Sequence, residues 1–373
     1  MSARAVIRPR SPRALLIAAA LGLSLFAPAC AFAASWDEGA GADWAKVLAA
    51  ARREGNVVVM GRPDLGPPFA AAFKRDTGLG LDYLGGQARD LQARFRRETA
   101  SGNVVSDVIL GGETTVDMIR PGYLMPLADN ILLPGVKNPA NWIGGALDWG
   151  DNQKSYLFIG GEYVHGWPVF NTDIVKPGTI SGWRDILKPE YKGKIAAIDP
   201  VIGPGGAAAS YLVHQFGIDF FKRLVVDQQL TIARDGRQVV EWLVRGSHAV
   251  AIGAVPADVE YFRSRGIKNI AVGDLLDGPG ALLGGSSVLS IAKKAPHPNA
   301  AIVFLNWYAS QPGQDTFSRI WLTPSNRTDV HVGNIPDYTN RRPGRMYLEQ
   351  YREDYWLTER AQAEQQIEEI MGR

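Results

Sequence analysis

A glycine-rich stretch that follows an apolar run is the strongest candidate for binding chemistry in this sequence. The residues 195–198 (Ile-Ala-Ala-Ile) are typical of a buried strand, and Gly203-Pro204-Gly205-Gly206-Ala207 follows after a short turn. We predict that a helix begins within these glycines. The first backbone N–H groups of a helix have no partner inside it and lie at the positive end of its dipole. Gly205, Gly206 and Ala207 are therefore predicted to bind an anionic group.

Other kinds of site are less well supported. The same glycines imitate a dinucleotide-binding pattern, but Asp199-Pro200-Val201-Ile202 separates them from the strand, and no acidic residue ends a strand about 20 residues later. The five histidines lack metal-ligand spacing. There is no G-x-S-x-G turn and no H-E-x-x-H helix, although two carboxylates could still meet in space from any positions.

The elements that must position this turn follow an alternating α/β pattern. In the first half, helices are predicted over 43–54, around Phe69 to Phe73 and over 90–101, with strands over 57–60, 79–83 and 105–110. Loops beyond the carboxyl ends of parallel strands carry ligand sites in such sheets. The loop residues predicted on this basis to bind ligand are Arg62, Asp64, Gly112, Glu113 and Thr114.

The second half repeats the alternation after a Pro-, Gly- and Trp-rich boundary at 121–153. Strands are predicted over 156–170, 195–198, 230–233 and 250–254, and helices over 206–216, 237–245 and 257–266. A β-rich segment at 282–291 is predicted to be the return crossing between the lobes. A helix over 298–310 follows, with Pro312 just past its end, and a long helix is predicted over about 344–371. We predict a first lobe over 34–160, completed by about 280–320, a second lobe over 161–279, and a C-terminal helical region over 321–373 that packs across them.

The chain begins with features of a secretory leader. Arg4, Arg8, Arg10 and Arg13 precede an apolar run and the small-residue pattern Ala31-Phe32-Ala33, which predicts a signal peptide over 1–33 with cleavage near Ala33. Cys30 is the only cysteine and would leave with it, so disulfides and cysteine catalysis are not expected. Without those arginines the chain is faintly acidic, and no nucleic-acid partner is expected.

Several motifs together resemble one protein family. Trp183-Arg184-Asp185-Ile186-Leu187, the run 189–195, Asp199-Pro200, the run 295–301 and the run 306–314 resemble the extracellular solute-binding proteins of bacterial ABC importers, in the branch that includes the ferric-ion-binding proteins. The resemblance runs over nearly the whole chain after the leader. It implies an α/β, two-lobed type II periplasmic binding protein fold that closes on its solute by hinge motion. Trp183 and Trp307 are expected in the core.

The resemblance also bears on the solute. Ferric-binding relatives use two adjacent tyrosines after the strand that here is 250–254, where this chain has Pro256-Ala257, with Tyr261 about one helical turn away. The family carboxylate of the first lobe corresponds to Glu113. The anion-holding helix start of those relatives corresponds to Gly205, Gly206 and Ala207.

Four further residues are predicted at the solute site, and for each of them an ordinary structural role is the alternative. Arg234 and Arg237 flank the next strand-to-helix turn and could donate paired hydrogen bonds to a carboxylate or phosphate, or could be solvated surface residues. Tyr163 and Trp167, on the crossing strand, could pack on an organic solute or form ordinary hinge packing.

We therefore expect a non-enzymatic periplasmic solute-binding protein of an ABC importer that captures a small anionic or polar organic solute. Its partner would be the inner-membrane permease, and we expect a monomer without cofactor. A ferric or ferric-chelate carrier is the alternative within the family. A secreted enzyme that uses the same cleft is the alternative of another class, since Glu113, Asp64, Asp199 and Glu260 fall near predicted loop ends.

Overall fold

The computed structural model describes residues 35–176, 178–201, 203–274 and 277–372. The predicted leader over 1–33 and its cleavage site near Ala33 lie outside these residues. Among the described residues, no helix combines the length and the apolar character that crossing a bilayer requires.

Short strands alternate with helices through the described chain. The strands are β1 (Asn56–Gly61), β2 (Gly80–Gly85), β3 (Val108–Leu110), β4 (Asp148–Trp149), β5 (Phe158–Ile159), β6 (Tyr163–His165), β7 (Val169–Asn171), β8 (Ile195–Ile198), β9 (Thr231–Ala233), β10 (Val250–Ile252), β11 (Ile270–Val272), β12 (Gly280–Leu283), β13 (Val288–Ile291) and β14 (Tyr347–Glu349). The helices are α1 (Ala42–Glu54), α2 (Gly66–Thr77), α3 (Ala88–Ser101), α4 (Pro134–Lys137), α5 (Gly203–Phe216), α6 (Ile218–Lys222), α7 (Gly236–Val244), α8 (Pro256–Arg263), α9 (Pro298–Tyr308), α10 (Gln311–Trp321), α11 (Glu353–Tyr355) and α12 (Ala361–Met371).

The first lobe is built on a six-stranded sheet in the order β2-β1-β3-β13-β5-β4. β1 pairs in parallel with β2 and β3, and β13 inserts antiparallel between β3 and β5. Helices α1, α2, α9 and α10 bury their apolar sides in the core of this lobe, where Trp307 is fully buried. The strand inserted from late in the chain therefore completes the first lobe.

The second lobe is built on a five-stranded sheet in the order β11-β7-β10-β8-β9. β8 pairs in parallel with β9 and β10, whereas β7 runs antiparallel to β10 and β11. Apolar side chains of this lobe form two clusters, one of which contains Trp183 at 1% exposure. The carboxyl ends of the parallel strands β8 and β10 therefore lie at one edge of this sheet.

A small third sheet joins the two lobes. Its order is β14-β12-β6, with β6 antiparallel and β14 parallel to β12. The chain passes from β5 of the first sheet through β6 to β7 of the second, and returns through β12 to β13. The predicted return crossing at 282–291 matches β12 and β13, and the two-lobed α/β fold class is confirmed.

The helix predicted over 298–310 is α9, Pro298–Tyr308, and Pro312 lies past its end, where it also occupies the first turn of α10. One prediction about the last part of the chain is wrong. The long helix predicted from residue 344 is interrupted because Tyr347, Leu348 and Glu349 pair with β12 as β14. The helical part begins only at Glu353 and includes a π-helical turn, Trp356–Arg360, between α11 and α12.

Candidate functional site

A cavity of about 440 Å³ lies at the strand ends where the two lobes meet. Its walls come from loops of the first lobe, from the start of α5 and the loop after β10, from β6 and the turn after β12, and from the C-terminal helical segment. The charged residues in this lining are Arg62, Arg96, Asp117, Arg360, Glu364 and Glu368. Cationic and anionic groups therefore both reach this cavity.

Arg62 lies directly after β1, at the carboxyl end of a parallel strand. Its guanidinium carbon is 4.5 Å from the ring centroid of Trp321. Its Nε is buried, and in the described part of the chain that atom has no hydrogen-bond partner. Burial raises the pKa of the Asp258 carboxyl, and the positive charge of Arg62 partly offsets that increase. Arg62 is therefore a cation with a donor still available for a ligand.

Helix α3 supplies the adjacent part of the first-lobe wall. Arg96 forms an ion pair of 3.0 Å with Asp117. Gln92 donates from Nε2 to the carbonyl oxygen of Gly111 at 3.2 Å. Among the predicted residues of this loop, Gly112, Glu113 and Thr114 fall in a 3-10 turn, Gly112–Met118, but their side chains are outside the described part of the structure.

The glycine-rich turn forms the start of α5, as its sequence predicts, and only part of it lines the cavity. Gly203, Pro204 and Ala207 face the cavity. Gly205 and Gly206 are buried behind them. A Cβ at Gly205 would collide with the carbonyl oxygens of Ile198 and Asp199, and a Cβ at Gly206 would collide with the guanidinium of Arg360.

The two aromatic residues predicted on the crossing strand occupy different places. Tyr163 lines the cavity and is 2% exposed. Trp167 lies on the far side of the crossing, where its indole N–H donates to the carbonyl oxygen of Val164 at 2.7 Å. Its ring contacts Tyr338 edge-on at 5.1 Å between centroids. Trp167 therefore belongs to the packing of the crossing.

The remaining predicted residues form a separate surface group. Arg237 lies 3.8 Å from Asp64 and 4.5 Å from the ring centroid of Tyr261. Arg265 covers the same ring at 3.6 Å. Arg234 is exposed, and its backbone N–H donates to Gln238. The structure thus brings Asp64, Arg237 and Tyr261 together, outside the cavity lining.

The C-terminal segment contributes residues that the sequence analysis did not select. Trp356, Leu357 and Arg360 of the π-helical turn line the cavity, together with Glu364 and Glu368 of α12. Arg360 is 3% exposed, and its Nε donates to Oε1 of Glu364 at 2.6 Å. No local signal distinguishes these residues from an ordinary amphipathic helix, because only the tertiary fold brings them beside α5.

The ferric-binding pattern of the resemblance is not reproduced in the part of the site that is described. The residues after β10 lead through Val255 into Pro256 at the start of α8, and Tyr261 lies between two arginine side chains. Among the described residues, no group of three or more His, Cys, Asp or Glu side chains could hold a metal ion.

The fold and the cavity define a two-lobed binding protein of the kind found in bacterial transport systems. The sequence profile of the bacterial extracellular solute-binding protein family matches residues 63–315, and the chain belongs to this family. Proteins of this family act outside the cytoplasm, where they deliver solutes to ABC transporters. No curated protein sequence matches the chain.

Solved structures of similar proteins share the fold at low sequence identity. Iron-bound HitA from Pseudomonas aeruginosa has a TM-score of 0.66 at 14% identity, covering 84% of this chain and 99% of that one. The apo ferric ion-binding protein A of Pasteurella haemolytica has a TM-score of 0.67 at 15% identity, covering 85% and 98%. AfuA of Actinobacillus pleuropneumoniae, with fructose-6-phosphate bound, has a TM-score of 0.63 at 18% identity, covering 84% and 99%.

Proposed function

We propose that this protein captures a small polar organic solute that carries an anionic group, and that it does so in the cavity between its lobes. The observation that carries the proposal concerns Arg62: this residue lines the cavity, and its buried Nε has no hydrogen-bond partner among the described residues. A buried donor without a partner costs free energy, and a bound carboxylate or phosphate would remove that cost.

The size and lining of the cavity support a small organic molecule. A cavity of about 440 Å³ falls within the range of ligand pockets, roughly 300 to 1,000 Å³. Apolar side chains such as Leu91, Ile109 and Leu283 share the lining with the charged residues. AfuA, which has the same fold, binds a sugar phosphate, a compound of this chemical class.

The place of action follows from the predicted leader. A signal peptide over 1–33 cleaved near Ala33 would deliver the protein to the periplasm, where it would meet the permease of its ABC importer. We propose that it acts there as a monomer and that it returns its solute unchanged. An enzyme that used the same cavity would instead release a product.

The experiment is to identify what the purified protein carries. We expect denaturation to release an intact organic anion, detected by mass spectrometry, and expect the same compound to raise the melting temperature of the unloaded protein. Arg62→Ala should abolish this stabilisation, whereas Arg53→Ala, at an exposed position on α1, should not change it. Release of a converted product, or stabilisation that survives Arg62→Ala, would contradict the proposal.

A ferric chelate is a second candidate, because two of the similar structures are iron carriers. As in the sequence-based alternative, such a carrier would need Glu113 as a carboxylate ligand together with a companion organic anion. Addition of ferric citrate should then produce a coloured complex that Glu113→Gln abolishes. A colourless protein that binds citrate equally with and without iron would leave the organic anion as the solute.

A further inference from the structure

The C-terminal helical segment, residues 353–371, contacts both lobes. Helix α12 packs on α5 and α6, and its Ala363 and Ile367 are buried in the core of the second lobe. At the other end, the backbone N–H of Asn152 donates to Glu353 at 2.8 Å, and Asn152 Nδ2 donates to Asp354 at 2.7 Å. The π-helical turn between these two anchors lies over the cavity and contacts the Gly112–Met118 turn of the first lobe. The segment is thus held at both ends with its middle turn facing the cavity.

The middle turn presents polar groups that the described residues satisfy only in part. The indole Nε1 of Trp356 is buried and, among the described residues, has no hydrogen-bond partner. The guanidinium of Arg360 is almost fully buried, yet in the described structure its only hydrogen bond runs from Nε to Glu364. Its Nη2 lies against Gly206, at the first turn of α5. The guanidinium of Arg360, a residue of the cavity lining, therefore lies close to the first turn of α5, the positively polarised end of that helix.

Bringing a cation to the positive end of a helix is unfavourable unless negative charge lies nearby. Glu364 neutralises the Nε side of the Arg360 guanidinium. The opposite side of the guanidinium is the one that we assign to a ligand. Arg62 approaches the same cavity from the first lobe. An anion with several oxygen atoms, a phosphate or a carboxylate, could bridge Arg62, Arg360 and the start of α5.

We infer that the C-terminal segment forms a third wall of the solute site, in which Arg360 and Trp356 bind the anionic group of the solute. This inference rests on the proposed function, since it concerns the same cavity. It adds a recognition element that lies beyond residues 63–315, which the family profile matches. Solute preference in this protein is then set by a segment outside the two sheets.

The test uses the full-length protein with citrate, fructose 6-phosphate and inorganic phosphate as probes, measured by calorimetry and thermal shift. Arg360→Gln should weaken binding of the preferred probe by about tenfold or more, because it removes a charged donor. Trp356→Phe, which removes the N–H together with part of the ring that Arg360 contacts, should weaken binding by about threefold to tenfold. Arg360→Lys should restore part of the affinity.

Glu364→Gln separates a binding role of Arg360 from a structural one. If Arg360 serves only to hold Glu364, both variants lose the same ion pair and should change affinity and melting temperature alike. If Arg360 binds the anion, Glu364→Gln should keep the affinity within about threefold of wild type or increase it, because a competing carboxylate is gone. Equal losses in the two variants would overturn the inference.

The outcomes also separate this inference from the proposed function. Loss of binding in both Arg62→Ala and Arg360→Gln supports both. If only Arg62→Ala loses probe binding, the inferred role of the C-terminal segment is overturned, and the proposed function of the cavity stands. If the wild-type protein binds none of the three anions and also releases no organic anion on denaturation, the proposed function is contradicted, and the inference falls with it. If Arg360→Gln destabilises the fold, the melting temperature of the unloaded protein falls. In that case the probe affinity of Trp356→Phe decides whether the segment binds the anion.

Discussion

Two groups of buried polar residues lie near the crossing between the lobes, and they differ in how fully their hydrogen bonds are satisfied. Glu162 is 7% exposed and accepts hydrogen bonds from Arg341 and from the hydroxyl of Tyr351. In the cavity, Nε of Arg62 and Nε1 of Trp356 have no partner among the described residues. The first group therefore contributes to the fold itself, whereas the second retains donors that the described residues leave for a bound ligand.

The largest expected effect is on the satisfied group. Burial raises the pKa of Glu162, and the hydrogen bond from Tyr351 together with the charge of Arg341 offsets part of that increase. Glu162→Ala removes the acceptor of the Tyr351 hydroxyl and leaves Arg341 with the more distant carboxylate of Glu349, at 3.5 Å, so we expect the free energy of unfolding to fall by about 3 kcal/mol or more. Chemical denaturation measures this change in the free energy of unfolding. Glu162→Gln, which keeps the shape, should cost less. If folded Glu162→Ala keeps its solute affinity, the Glu162 group acts on stability alone, which supports the contrast with the cavity group. A loss of affinity without a loss of stability would contradict that contrast.

A neighbouring buried group should make stability depend on pH. Burial lowers the pKa of His165 to about 4, and the positive charge of Arg360 contributes in the same direction. Between the ordinary pKa of about 6.5 and the lowered value, the unfolded chain binds a proton that the folded protein does not. Stability contributed by neutral His165 is thus complete above pH 6.5 and is lost as the pH falls towards 4.

This loss should be on the order of 3 kcal/mol over that window, from the size of the shift. Unfolding curves at pH 7, 5.5 and 4.5 measure it, and His165→Gln should flatten the dependence. His331 lies on an exposed loop, so His331→Gln should leave the profile unchanged. A profile equally steep in His165→Gln and wild type would assign the dependence to other groups.

The glycines at the start of α5 should separate stability from binding. A Cβ at Gly205 would fall within 3 Å of backbone carbonyl oxygens, which cannot move as a side chain can. We expect Gly205→Ala to reduce the free energy of unfolding by about 2 kcal/mol through overpacking. At Gly206 the neighbour is the flexible end of Arg360, so Gly206→Ala should displace the guanidinium and mainly weaken solute binding.

Gly135 provides the matched control for both variants, because a Cβ there meets nothing within 4 Å. Gly135→Ala should change neither property. If Gly206→Ala keeps full solute affinity, displacement of Arg360 has no consequence for the site.

The smallest effect is expected at the surface group formed by Asp64, Arg237 and Tyr261. Arg237 and Asp64 are about half exposed and 3.8 Å apart. Exposed pairs of this kind contribute about 0 to 1 kcal/mol. Arg237→Ala should change the melting temperature by no more than one or two degrees and solute affinity by less than twofold. A tenfold loss of affinity would show that Arg237 reaches the solute in solution.

Local sequence patterns predicted most of the two sheets but not the end of the chain. Strands such as β8 and β10 are continuous apolar runs between turn residues, so their type and approximate bounds are local properties. Pro312 follows the end of α9 as predicted, but the start of α10 was not predicted, since proline is as well suited to the first turn of a new helix as to the segment after an old one. Tyr347, Leu348 and Glu349 have no pattern of their own that favours a strand over a helix, and pairing with β12 decides it.

The same limit applies to the solute site. Arg62 follows a predicted parallel strand, and the rule that ligands bind at such strand ends selects it from sequence. Arg360 lies in a charged helical segment in which arginine, glutamate and glutamine alternate, and nothing local separates it from a solvated residue. Its burial results from the contact of α12 with α5, a relation between positions about 150 residues apart along the chain.

The π-helical turn Trp356–Arg360 has a consequence for how solute preference could diverge among related proteins. Such a turn holds one residue more than the α-helical pattern would, and each residue of an α-helix advances the direction of the side chains by about 100°. Deleting a single residue between Trp356 and Arg360 would rotate Trp356 away from its present direction relative to Arg360 and α12. Insertions and deletions here, rather than amino-acid replacements, would then offer a short evolutionary route to a different cargo.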